Sequence, residues 1–286
     1  MKSSVLLVMG MIILLFAGAL LARDNYLVME ENYTIAGNTL LVNANIDVGE
    51  VVIGKNNRDD QCHVYIKYTP ERAECDIRYN ENNNELDVIV DFENWKKWRD
   101  DKDNDEDFLQ VLIELPANPE IDLNTDFKAG EFELELGDLK IHNLNFSNWA
   151  GEARINFHAP NRIKMNEMDI NFKVGELDIQ NLGNARFEEA DINSGIGEMT
   201  VDFSGESLEK AMARLDLDIG ETTIIIPNHI GTKLRVSKFL FLSEISYPNW
   251  FDKRGSYYYS DNYENSSKFL YLMISTGIGE LSIKVD

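Results

Sequence analysis

GIGEMTV (195–201) is one copy of a phrase that keeps returning along the chain: an apolar residue, Gly, Glu, then alternating apolar residues. It recurs as DVGEVVI (47–53), KAGEFEL (128–134), WAGEARI (149–155), KVGELDI (173–179), DIGETTI (218–224) and GIGELSI (277–283). Gly130, Gly151, Gly175, Gly197 and Gly220 follow one another at intervals of 21, 24, 22 and 23 residues. A fixed period of this size marks a stacked array of small structural units. The alternation after each Gly-Glu reads as a half-buried strand. The glycine reads as a corner, where positive φ or close backbone approach is required, and Gly279 repeats it near the C-terminus. The phrase therefore predicts an all-β fold: a single-stranded, β-helix-like β-solenoid with coils of about 22 residues.

Between Gly175 and Gly197 one coil can be followed. Glu176–Leu182 is a strand, Gly183-Asn184 a turn, Phe187–Asn193 a second strand, and Ser194–Gly197 the next corner. SLEKAMARL (207–215) puts Leu208, Met212 and Leu215 on one helical face, but its place in the period predicts a corner with at most a turn or two of helix. Beyond Pro227 the spacing predicts longer strands over Thr232–Leu242, Lys268–Ile274 and Leu281–Val285. Ser243–Ser267, rich in Tyr, Asn and Ser, reads as a hairpin that caps the stack, as solenoids require. Upstream, residues 26–115 read as antiparallel strands, among them Thr39–Ile46, Val51–Ile53, Val64–Tyr68, Leu86–Phe92 and Phe108–Leu115. The organisation expected is an apolar N-terminal segment (1–22), an antiparallel β region (26–115) and a solenoid with a C-terminal cap (116–286).

Lys2 followed by the apolar run Val5–Ala22 reads as an export signal, with Ala17-Gly18-Ala19 as a cleavage pattern. The run is also close to the ~20 residues that span a bilayer, so a retained membrane anchor is the other reading. Either one places the chain outside the cytoplasm: in the periplasm, on the cell surface, or tethered to the membrane through residues 5–22. Fifty acidic against 27 basic residues give a net charge of −23. That excludes a nucleic-acid surface, which needs Lys and Arg to neutralise phosphates. Cys62 and Cys75 flank two short alternating runs that read as a hairpin around Thr69–Arg72. In an oxidising compartment they are expected to pair, which would stabilise by about 3 kcal/mol on the chain-entropy model; two free thiols are the alternative.

The segments FEEADINSGIGEMTVDFSGESLEKAMARLDLDIGETTIIIP (187–227) and YYYSDNYENSSKFLYLMISTGIGELSI (257–283) resemble the toast-rack and adhesin-like β-solenoid domains of bacterial envelope proteins. They are similar, too, to the C-terminal domain of LiaF-type envelope-stress proteins. The pattern that carries the resemblance is GxGE, alternating apolar residues, then an Ile-Pro exit. The resemblance implies a β-solenoid, an envelope location and a non-catalytic scaffold or interaction role, with envelope-stress regulation as the alternative. It brings no catalytic residues.

If the coils stack in register, Glu131, Glu152, Glu176, Glu198 and Glu221 form a column about 4.8 Å apart. Their repulsion is expected to be offset by hydrogen bonds from corner backbone N–H groups, or by Ca²⁺, which all-oxygen ligand sets favour. Asp101, Asp103, Asp105 and Asp107 alternate like the start of a calcium loop. Glu106 and Leu112, however, occupy the positions where such a loop needs Gly and a bidentate Glu, so a solvated acidic loop is the expected reading. No cofactor other than Ca²⁺ is suggested. Tyr247, Trp250, Tyr257, Tyr258 and Tyr259 are candidates for a sugar- or protein-binding face, since flat rings bury area at low entropy cost. Their other reading is packing beneath the cap. His63, His142, His158 and His229 are scattered, and no HExxH, GxSxG or phosphate-loop motif is present, so an enzyme is not expected. A polysaccharide-active β-helix enzyme is the rival from another class. The expected partners are an envelope protein or a glycan.

Overall fold

Each Gly-Glu phrase lies in the middle of one long strand. The computed structural model describes residues 26–92, 109–238 and 243–286. Its strands are β1 (Leu27–Thr34), β2 (Thr39–Lys55), β3 (Gln61–Tyr68), β4 (Ala73–Asn80), β5 (Glu85–Phe92), β6 (Leu109–Leu115), β7 (Glu120–Glu135), β8 (Ile141–Asn156), β9 (Glu167–Gln180), β10 (Glu189–Asp202), β11 (Lys210–Ile226), β12 (Gly231–Lys238), β13 (Ser243–Ser246), β14 (Phe251–Arg254), β15 (Tyr257–Ser260) and β16 (Phe269–Val285). The rungs β2-β7-β8-β9-β10-β11-β16 stack in that order, each parallel to the next. The all-β solenoid expected from the repeat is the fold observed.

The glycines do not separate strands, as the corner reading had it; they bend continuous ones. Burial along β10 shows how. Ala190, Ile192 and Ser194 point inward, then Met199 and Val201, so the inward parity switches from even to odd across Gly197-Glu198. A flat strand keeps its parity, because successive side chains alternate faces. The switch means that both halves of the strand face the same interior, with the Gly-Glu at the outside of the bend. The return loops close the third side. Leu136, Phe157, Leu182 and Phe203 project from them into the core. Two buried asparagines clasp successive loops and rungs. Asn161 donates to the Ile141 carbonyl and accepts from its N–H, both at 2.8 Å. Asn184 donates to the Phe157 carbonyl (3.1 Å) and accepts from the Glu206 N–H (3.1 Å). The apolar strip is continuous, with Phe127, Phe146, Phe157, Phe172 and Phe203 fully buried along it.

The segment Ser207–Leu215 contains no helix: Lys210 opens β11, and Leu208, Ala211, Ala213 and Leu215 are buried at strand and loop positions. Stacking against β10 decides this, overriding a helical periodicity of three residues. Residues 26–115 are not wholly antiparallel. β1-β3-β6 and β4-β5 are antiparallel, but β5 and β6 both run parallel to β2. β2 carries its own Gly49-Glu50 and pairs with β7 from Thr39↔Glu120 to Ile53↔Leu134, so the ladder runs straight across residue 115. At the other end β16 is one strand bent at Gly279. Its first half pairs with β12 and its second with β13, while β14-β15 form the expected hairpin against β12.

Cys62 and Cys75 are both free. The hairpin expected to pair them does not form, because β3 pairs with β1 and β6 whereas β4 pairs with β5. Burial, more than any neighbouring charge, raises the hydroxyls of Tyr79 and Tyr68 above their ordinary value. Burial pushes both thiols up to about 12.

Candidate functional site

The bend that turns each rung lines up three columns on the outside of the molecule. The first is glycine: Gly49, Gly130, Gly151, Gly175, Gly197, Gly220 and Gly279 all have φ between 125° and 144°. The second is glutamate. Glu50↔Glu131↔Glu152↔Glu176↔Glu198↔Glu221↔Glu280 are register partners in turn, and Glu280 also faces Glu244 of β13. The expected ladder is therefore formed, and Glu50, Glu280 and Glu244 extend it. The backbone hydrogen bonds expected to hold it are not: among the described residues Glu50 accepts from Gln110 (3.2 Å), and Glu131, Glu152, Glu176, Glu198 and Glu221 are exposed with no protein partner. They face solvent.

The third column was missed in the sequence. Val174, Ile196, Ile219 and Ile278 precede the bend glycines, are register partners, and are 47, 51, 46 and 44% exposed. Period-two alternation would turn each of them inward; the bend leaves them at its apex. The signal was present as an apolar residue before Gly-Glu in successive phrases, but reading it needed the parity switch. Toward the other end the column shrinks to Ala150 and Ala129, with Trp149 beside it at 66% exposure. The result is an aliphatic ridge flanked by a carboxylate column.

Beyond the ridge, on the outer face of the second strand halves, lies a trough of about 270 Å³ lined by Glu50, Glu131, Glu133, Glu152, Glu176 and Asp178, with Arg154 as its one cation. Arg154 lies 3.7 Å from Asp178. Among the described residues no group of three or more His, Cys, Asp or Glu side chains converges as a metal site would require. Asp101, Asp103, Asp105 and Asp107 lie outside the described residues. The histidines sit singly: His63 between Glu114 (2.8 Å) and Glu30 (3.1 Å), His142 beside Asp122 (3.2 Å), and His158 beside Glu135 (3.0 Å).

The outer face of the first strand halves is a polar ladder. Asn124 donates to Asn43 (3.1 Å), Asn43 to Asp87 (2.9 Å), Asn193 to Asn171 (3.1 Å) and Asn171 to Asp169 (2.7 Å). The candidate aromatics divide between two sides. Tyr258 pairs with Leu234 and, like Trp250, is packed against the core. Tyr247 is 45% exposed and meets the Tyr258 ring edge-on at 5.0 Å. Tyr257 and Tyr259 share the outward face with Lys233 and Tyr271. Burial, then a hydrogen bond with Tyr257, raises the Tyr271 hydroxyl.

Residues 26–180 match the family described as the N-terminal domain of toast_rack, and residues 173–283 match the C-terminal domain of LiaF, a cell wall-active antibiotics response protein. The first match covers more than half of the chain. No curated protein matches it. Among solved structures, a protein from Clostridium sporogenes described as a cell adhesion protein is 17% identical, with TM-score 0.44, covering 91% of this chain and 100% of that one. One from Bacteroides fragilis described as an adhesin is 12% identical, with TM-score 0.35, covering 90% and 96%. One from Parabacteroides distasonis described as a lipid binding protein is 6% identical, with TM-score 0.32, covering 89% and 96%.

Proposed function

This chain belongs to the toast-rack family, and on that premise we propose that it is a non-catalytic interaction domain of the cell envelope that presents a straight ridge to a partner protein. The observation that carries the reading is the aliphatic column Val174-Ile196-Ile219-Ile278, held at fixed spacing by the rung register and left in water. Exposed apolar residues in contact with one another mark interaction surfaces, because solvating them is unfavourable. The neighbouring glutamates keep the ridge soluble and favour a partner that brings cations. The envelope setting is supported by the LiaF-like match and by the apolar run after Lys2. The LiaF-like match spans the rungs that carry the ridge, and it favours a second reading in which the partner is a component of envelope-stress signalling.

A photo-crosslinking residue at Ile219, compared with one at the exposed loop residue Glu206, tests this in intact cells. A discrete adduct at position 219 that is absent at 206 is the expected result. Equal labelling at both positions, or none at 219, would contradict the reading.

A further inference from the structure

Positive charge is scarce in this chain and unevenly placed. Against 50 acidic residues there are 27 basic ones, yet Arg214, Lys233, Arg235 and Arg254 share the outward face of the last strands. Register joins them into one field: Arg214 and Arg235 both flank Met273, Lys233 lies between Tyr271 and Tyr259, and Arg254 opposes Tyr257. Two of the four are neutralised, Arg214 by Asp191 (3.1 Å) and Glu189 (3.4 Å), Arg254 by Glu264 (2.8 Å). Lys233 and Arg235 form no ion pair among the described residues. The Lys233 ammonium instead lies 4.0, 5.1 and 5.7 Å from the ring centroids of Tyr257, Tyr271 and Tyr259. In a chain with nearly two acids per base, a lysine set among rings and an arginine without an ion pair are placed to meet an anion from outside.

Next to them lies a depression of about 460 Å³. Its walls include Arg214, Arg235, Asn193, Ser237, Ser275 and Met273, together with two carboxylates, Asp191, which Arg214 neutralises, and Asp216, which leaves Arg235 as the cation without an ion-pair partner among the described residues. Amide and hydroxyl groups of this kind exchange hydrogen bonds with sugar hydroxyls, and the guanidinium fork of an arginine matches a carboxylate in a bidentate geometry. The tyrosine rings offer flat apolar surface to the C–H face of a sugar ring. A protein partner would want an apolar centre, and the exposed large aliphatic residues among those described lie elsewhere: Val174, Ile196, Ile219 and Ile278 on the bend ridge, Leu27 and Val28 on β1, and Val52 on β2.

We propose that this face binds a carboxylate-bearing polysaccharide, a polymer of uronic acids, with Arg235 taking a carboxylate and the Lys233–tyrosine cluster holding the adjoining sugar. The carboxylate column along the bends, which has no cations set into it among the described residues, repels the same polymer, whereas on this face Asp191, Glu189 and Glu264 are each met by an arginine. The site is independent of the bend ridge.

Isothermal titration of the full chain at low salt tests the proposal, with hexagalacturonate as the probe and methyl-esterified hexagalacturonate, polyphosphate and poly-glutamate as comparisons. Hexagalacturonate should bind, and esterification should weaken binding by about tenfold or more, the weight of a charge-assisted hydrogen bond. Arg235→Ala should weaken it by a similar factor while thermal unfolding is unchanged. Arg235 is exposed, so its loss does not disturb the core. Ile219→Ser should leave binding untouched, separating this site from the ridge. Four results would overturn the proposal: no binding at millimolar hexagalacturonate, equal binding of the ester, unchanged binding by Arg235→Ala, or equally tight binding of polyphosphate or poly-glutamate. The last would reassign the face to simple charge attraction or to an acidic protein.

Discussion

At the scale of single residues, the bend stands on glycine. A Cβ on Gly197 would sit 1.9 Å from the Gly175 carbonyl oxygen, and φ is +140°. The rung below therefore occupies the space a side chain would need, and the backbone lies in a region that is essentially glycine's alone. Gly197→Ala should cost about 3 kcal/mol or more. Gly255→Ala, at φ +66° with nothing within 4 Å, should cost only about 1 kcal/mol. Equal melting points for the two variants would refute the stacked bend. Asn148 is the opposite case. It is 1% exposed, lies between Phe127 and Phe172 in register, and neither its Nδ2 nor its Oδ1 has a partner. An unsatisfied buried amide costs about 1–3 kcal/mol, so Asn148→Leu should stabilise by that order. A lowered melting temperature would show that the amide has work the structure does not reveal.

At the scale of elements, what ties one rung to the next beyond the strand ladder is the set of return-loop contacts. Asp138, in the loop after β7, accepts from Lys55 at the end of β2 (2.6 Å) and from Arg162 in the loop after β8 (2.7 and 2.9 Å). The Arg162 hydrogen bonds first, then Lys55, hold the Asp138 carboxyl well below its ordinary 3.8. A depressed folded-state value contributes stability above the unfolded-state value and loses it as pH falls through the folded one. Asp138 is 44% exposed, so solvent screens much of this, and Asp138→Asn should cost on the order of 1 kcal/mol at neutral pH. The gap between variant and parent should close as pH drops below 3.8; a gap constant from neutral to acid pH would contradict the ion-pair account. The elements themselves were legible in the sequence to different degrees. Gly-Glu spacing exposed the rungs, because stacking forces one phrase to recur. It could not show that β2 belongs to the same stack, because β3–β6 are inserted between Gly49 and Gly130. Nor could it show that Gly bends a strand rather than ending one, since alternation reads the same on either side of a bend. Cys62 and Cys75 looked like a hairpin pair because the chain near them alternates, yet strand partners are chosen by the sheet and not by proximity in sequence. Of the candidate site, the glutamate column was legible; the Val174–Ile278 ridge and the partition of the tyrosines between two faces depended on the parity of each strand half.

At the scale of the whole molecule, the account is of one register running from Glu50 to Glu280, with the interaction ridge and the polar outer faces as its consequences. The exposed carboxylates sit about 4.8 Å apart along it, and neighbours repel by about 1 kcal/mol in water, less with salt. The Phe-rich core and the continuous ladder outweigh that repulsion. The column also serves as a ruler. Six register steps separate Glu50 from Glu280, although they are 230 positions apart in the chain. The most direct measurement is pulsed electron spin resonance between nitroxides at Glu50→Cys and Glu280→Cys, with Cys62 and Cys75 replaced by Ala. One narrow distance centred near 29 Å, set by six rungs of about 4.8 Å and spread by a few ångströms through the reach of the labels, is the result this account requires. A broad distribution, or a mean well beyond about 40 Å, would mean that the phrases do not stack in a single register, and the ridge would fall with the ladder.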